Sequence, residues 1–132
     1  MILADSSAWI EYLRATESQA DRRLDELIGA DTGELVTTEV VVMEVLAGVS
    51  EESRVAQLRR VLDHFELIPV EGLSDFLEAA AIYRTCRRQG ETVRTRFDCL
   101  ISAVAIRVDA AVLHQDRDFE AIARHTPLRV AI

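Results

Sequence analysis

Residues 97–116, FDCLISAVAIRVDAAVLHQD, hold a helix, a strand and an acid in immediate succession. Phe97, Leu100, Ile101, Val104, Ala105 and Val108 recur at the 3.6-residue spacing of an amphipathic helix. Ala110 to Leu113 then reads as a short strand, and Asp116 follows where the chain leaves it. Working outward, the same alternation recurs. Met1 to Ala4 is an apolar run ending at Asp5, with Ser6 or Ser7 as the expected cap of the next helix. A helix is expected over 17–30, on Ala20, Leu24, Leu27 and Ile28, then a strand at Leu35 and Val36. Another helix is expected from Thr38 to Ala47, stopping at Gly48. Ser50, Glu51 and Glu52 mark a helix start that runs to about His64, before a strand over Leu67 to Val70. Leu73, Phe76, Leu77, Ala80 and Tyr83 place a helix over 74–89, with Gly90 as its stop. A short helix over 117–124 and a strand over Leu128 to Ala131 close the chain. Strands alternating with helices favour a parallel sheet covered on both faces. The expected class is α/β, with about five short strands.

At 132 residues the chain suits one domain. A 49% hydrophobic and 29% charged composition is that of a globular protein rather than a disordered one. No apolar run reaches the roughly 18 residues of a membrane span, and the N-terminus lacks the basic region of a secretory signal. Cys86 and Cys99 form neither a disulfide framework nor a zinc pattern, so a cytoplasmic protein is expected. The net charge of −8 argues against salt-driven coating of nucleic acid. All 15 basic residues are arginine, which forks onto phosphate oxygens better than lysine does.

The acids fall in telling places. Asp5 and Asp116 stand just past two strands, where ligand sites form in open parallel sheets, although either could equally cap a helix. Glu44 has Val40, Val41, Ala47 and Gly48 as its helical neighbours, so its carboxylate sits on an apolar face and needs a partner or a metal. Thr95-Arg96-Phe97-Asp98 fits a capping box, which would make Asp98 the third residue of a helix, turned towards Ser102.

In this order, DSSAWIEYLR from Asp5, MEVLAG around Glu44, DCLISAVA from Asp98 and HQDRDF from His114 resemble the four blocks of PIN-domain ribonucleases. The VapC toxin type of toxin–antitoxin pairs is the nearest likeness, and RRQGETVR before Asp98 resembles its usual lead-in. The resemblance covers essentially the whole chain and implies one PIN-like nuclease domain over 1–132, a three-layer fold with a mainly parallel sheet. It implies an endoribonuclease whose catalytic acids are Asp5, Glu44, Asp98 and Asp116, leaving 5′-phosphate and 3′-hydroxyl ends. Asp5, Asp98 and Asp116 would hold Mg²⁺, with Mn²⁺ as a substitute, and Asp118 could assist or replace Asp116. His114 departs from the family, which often has Thr or Ser there; it could bond a ligand carboxylate or a phosphate. Arg84, Arg87, Arg88, Arg94 and Arg96 are candidate RNA contacts, and Arg14 could pair with an acid near the site.

The resemblance further implies an RNA substrate, a cognate VapB-like antitoxin, a homodimer and a toxin–antitoxin hetero-oligomer. A pI near 4.8 suits a basic antitoxin tail, and helices 17–30 and 51–64 carry apolar surface for the antitoxin or a second copy. Two other readings compete. A phosphoryl-transfer domain of the receiver type needs a lysine, which is absent, and the phosphatase type needs an aspartate where Ser7 stands. A catalytically silent PIN-like binding module would have no need of all four acids.

Overall fold

β1 (Ile2–Ala4) is buried along its whole length, as a strand with neighbours on both edges and helices on both faces must be. It pairs in parallel with β2 (Leu35–Thr37) on one side and β4 (Ala111–Leu113) on the other, Leu3 standing beside Val36 and Val112. β3 (Glu66–Leu67) adds to β2 and β5 (Arg129–Val130) to β4, giving a parallel sheet in the order β3-β2-β1-β4-β5. This is a computed structural model, and it describes residues 1–131.

The helices are α1 (Ser6–Leu13), α2 (Gln19–Ala30), α3 (Glu39–Ala47), α4 (Glu52–Asp63), α5 (Gly72–Arg88), α6 (Arg96–Arg107) and α7 (Arg117–His125). The strand order grows leftward from β1 to β3 and rightward from β4 to β5. Right-handed crossovers therefore place α1–α4 on one face and α5–α7 on the other. Trp9, Leu24 and Leu62 fill the first layer, Ile101, Phe119 and Ile122 the second, all essentially without exposure. α6 is the central helix: every residue from Asp98 to Ala105 is buried. Among the described residues no helix is long and apolar enough to cross a membrane, and both cysteines are buried free thiols.

The α/β class and the element order match the sequence expectation; several details do not. Asp5 itself caps α1, its carboxylate accepting the Ser7 N–H, so neither Ser6 nor Ser7 is the cap. The third strand is Glu66–Leu67 rather than Leu67–Val70. Ile68 still donates to Thr37, but Pro69 has no N–H with which to extend the ladder. The largest correction concerns α5. Its period is as expected, but Leu73, Phe76 and Leu77 face outward at 72%, 55% and 60% exposure. The buried stripe is Asp75, Ala79, Ile82 and Cys86. Small Ala79 and Cys86 let α5 lie close on α6, and Arg107 of α6 reaches across to bond both oxygens of Asp75. A charged residue satisfied by a partner from another helix thus took the inner face that hydropathy assigned to leucine. Phe97, expected inside with the α6 stripe, is likewise exposed.

Candidate active site

Strand order reverses at β1, and the exits of β1 and β4 stand side by side: the Asp5 N–H donates to the Leu113 carbonyl at 2.9 Å. The two exit loops are stitched by Ser7. Its hydroxyl donates to Asp5 Oδ2 at 2.6 Å and accepts the Gln115 N–H at 2.9 Å. Asp5 Oδ2 is therefore occupied, while Oδ1 is buried with no hydrogen-bond partner. Burial pushes the Asp5 carboxyl above its usual range against the pull of the Ser7 bonds, with Asp116 adding to the rise.

Asp98 lies in the first turn of α6, whose start is set by Thr95 accepting the Phe97 N–H. The expected capping box does not form: Thr95 caps through Phe97 rather than Asp98, and Asp98 Oδ2 is buried without a partner. Asp98 is buried, at 3% exposure. Burial, followed by repulsion from Asp5, Asp116, Asp118 and Glu44, pushes its carboxyl up to about 8. Glu44, half-buried on α3, accepts the Ser6 hydroxyl at 3.0 Å. Partial burial raises its carboxyl, with Asp5 and Asp116 contributing.

Asp116 caps α7, its Oδ1 accepting the Asp118 N–H at 3.0 Å. Donor atoms of Asp98, Asp116 and Asp118 lie within 4.8 Å of one another. The tightest triad thus contains Asp118 where sequence reasoning placed Asp5, while Asp5 faces the same charges from the β1 exit. His114 is buried, and its Nδ1 accepts the Asp116 N–H at 3.1 Å while its ring lies 5.3 Å from that of Phe119. That bond leaves the proton of the neutral ring on Nε2, and burial holds the imidazole below its usual range. His114 therefore orients the Asp116 backbone rather than bonding a carboxylate.

The arginines are distributed differently from the expectation. Arg94 pairs with Asp116 and Asp118, and the Arg96 guanidinium lies 4.8 Å over the Tyr83 ring, with Arg87 5.7 Å from the same ring. Arg14 pairs with no acid among the described residues and instead lines a groove beside Glu44. Sequence reasoning missed Ser6 and Ser7 as partners of the acids. Their place directly after Asp5 is the signal that could have found them.

Clustered carboxylates repel unless a cation joins them, and buried acceptors without partners are rare. Asp5 Oδ1 and Asp98 Oδ2 are two such acceptors, and every candidate ligand is a hard oxygen. The residues fit a divalent metal ion.

Known proteins identify the family and the fold. The PIN domain family profile matches residues 2–125. The chain is 43% identical to Ribonuclease VapC11 of Mycobacterium tuberculosis and to VapC ribonuclease Mb1587 of Mycobacterium bovis, covering 99% of this chain and 98% of each relative. Its fold is similar to the crystal structure of VapBC2 from Rickettsia felis bound to a promoter DNA fragment, with a TM-score of 0.76 at 15% identity over 99% of this chain and 98% of that one. The sheet, the paired strand exits and the four sequence blocks have one common explanation: this chain belongs to the PIN domain family, among its VapC ribonucleases.

Proposed function

We propose that the protein is a metal-dependent endoribonuclease toxin, a single nuclease domain held in check in the cytoplasm by a cognate VapB-like antitoxin. The observation that carries the site assignment is the pair of buried, unpartnered carboxylate oxygens, Asp5 Oδ1 and Asp98 Oδ2, where the strand order reverses.

In this reading Asp5, Asp98 and Asp116 hold Mg²⁺, for which Mn²⁺ substitutes. When bound, the ion supplies an acidified water and charge neutralisation on the phosphate. The chain's own groups do the rest. Ser7 fixes the Asp5 carboxylate through Oδ2, so that Oδ1 is the oxygen presented. His114 fixes the backbone from which Asp116 projects. Glu44, steadied by Ser6, accepts the proton of the attacking water, and the burial that raises its carboxyl makes it a stronger base than a free glutamate. Asp98 keeps its proton up to about pH 8 in the metal-free protein, so ion binding must expel it. The Mg²⁺ concentration for half-maximal RNA cleavage should therefore fall at least about tenfold between pH 6 and pH 8. Cleavage of an RNA pool across a Mg²⁺ series at each pH checks this, and a requirement independent of pH would contradict the assignment of Asp98.

The antitoxin is assigned to the groove of about 540 Å³ between α1, α3 and α4, which has Glu44 in its wall. Ile10, Leu13, Leu58 and Val61 give it an apolar lining suited to an amphipathic helix, and the acidic site beyond suits a basic tail. Val61→Arg should weaken antitoxin binding at least about tenfold, measured by calorimetry, and leave RNA cleavage intact.

The outward Leu73, Phe76 and Leu77 of α5 form a separate apolar face, assigned to a second copy of the chain. The start of α6 lies further along α5, where Arg96 stands over Tyr83 and Phe97 is also exposed. Leu77→Glu should give a monomer by light scattering where the wild type is a dimer.

A further inference from the structure

Arg94 makes three bonds to the acidic site from a single residue. Its Nη2 donates to Asp116 Oδ1 at 2.6 Å, and both its Nε and its backbone N–H donate to Asp118 Oδ2 at 3.1 Å. We infer that Arg94 is a built-in counter-cation standing where a second metal ion would sit, so that the free enzyme loads one divalent ion and not two. The inference rests on the reading of the four acids as a metal site.

The carboxylates divide into an open half and a closed half. Asp5 Oδ1 and Asp98 Oδ2 are buried and carry nothing. Asp116 Oδ1 and Asp118 Oδ2 are both taken by the guanidinium. An ion bridging Asp116 and Asp118 through these oxygens would need each at about 2.0–2.1 Å, pressed against the guanidinium that already bonds both, and that like-charge approach disfavours it. A two-ion centre needs its ions roughly 3.5–4 Å apart, and here the outer place is filled by a group that stays charged at every working pH.

Arg94 is also held in place, unlike a loose surface arginine. Val93 before it is buried, Glu91 pairs with Arg124 and His125 of α7, and Thr95 after it caps α6. The Arg94 side chain is largely open, at 59% exposure, while the Asp118 side chain is sealed at 7%, so the positive charge is laid on from the solvent side. Asp118 is thereby committed to the loop before α6, which leaves Asp116 as the acid shared between Arg94 and the metal. Arg94 is a positioning residue, and it is not free to grip a phosphate.

The test counts bound Mn²⁺ by calorimetry and by paramagnetic resonance, in wild type, R94K, R94Q and R94A, with D98N as the control. Wild type and R94K should bind one ion. R94Q and R94A keep the main-chain bond to Asp118 and should bind two, the second at least about tenfold tighter than any second ion on the wild type. Two ions of comparable affinity on the wild type, or a single ion on both neutral variants, would overturn the inference while leaving the metal site standing. A wild type that binds no ion, and is indistinguishable from D98N, would overturn the metal reading and this inference with it.

Discussion

Asp98→Asn is expected to lower Mg²⁺-dependent RNA cleavage by at least about a thousandfold, the loss of roughly 4 kcal/mol of transition-state stabilisation, and at the same time to stabilise the metal-free protein at pH 8. The second effect follows from the first residue's surroundings. Burial and four neighbouring acids raise the Asp98 carboxyl to about 8 in the folded chain, whereas an exposed aspartate titrates near 3.9. Between those values the folded state binds more protons than the unfolded one. Stability therefore falls as pH rises through that window, by on the order of a few kcal/mol. Asparagine never ionises and escapes this penalty. Melting in EDTA should show D98N above wild type at pH 8, with the gap closing towards pH 4. Adding Mg²⁺ should raise the wild-type melting temperature and leave D98N where it was. A variant less stable than wild type at both pH values would make Asp98 a structural residue of α6.

Glu44→Gln is expected to reduce kcat by about 10²–10⁴-fold, the usual contribution of a positioned general base, with little change in melting temperature or in Mn²⁺ affinity. Glutamine keeps a carbonyl oxygen for the Ser6 hydroxyl, so the local bond survives the change. Because burial and the charges of Asp5 and Asp116 raise the Glu44 carboxyl, wild-type kcat should also decline as pH drops through that raised range. Were Glu44 instead the structural partner of an arginine, stability would fall more than rate. Its hydrogen bond to Ser6 rather than to a cation makes the catalytic outcome the expected one.

How much of this was legible in the sequence depended on whether the information was local. β1, β4 and the helix between Phe97 and Val108 carry their period in their own residues, and the structure places them where the pattern does, the exposed Phe97 excepted. The four acids were legible as strand-exit and helix-face positions. Asp5 and Asp116 turn out to cap helices and to face the site at once, so those two readings never competed. What the chain hid was tertiary. The inner face of α5 was decided by Arg107 reaching Asp75 from another helix, and no periodicity in residues 72–88 reports that bond. Arg94 read as a candidate RNA contact because its two carboxylate partners lie 22 and 24 residues further on. His114 read as a departure from a family pattern. Its ring nitrogen takes the Asp116 N–H, a bond that only the conformation of the β4 exit reveals.

The acids at the β1 and β4 exits are expected to cut RNA through a bound divalent ion. The direct measurement is cleavage of a mixed RNA pool by the purified toxin freed of antitoxin, in Mg²⁺, in excess EDTA, and in EDTA with Mg²⁺ then restored in excess. The expected result is cleavage, none, and cleavage again, with 5′-phosphate and 3′-hydroxyl product ends. Cleavage that persists undiminished in EDTA, or none under any of the three conditions, would contradict it.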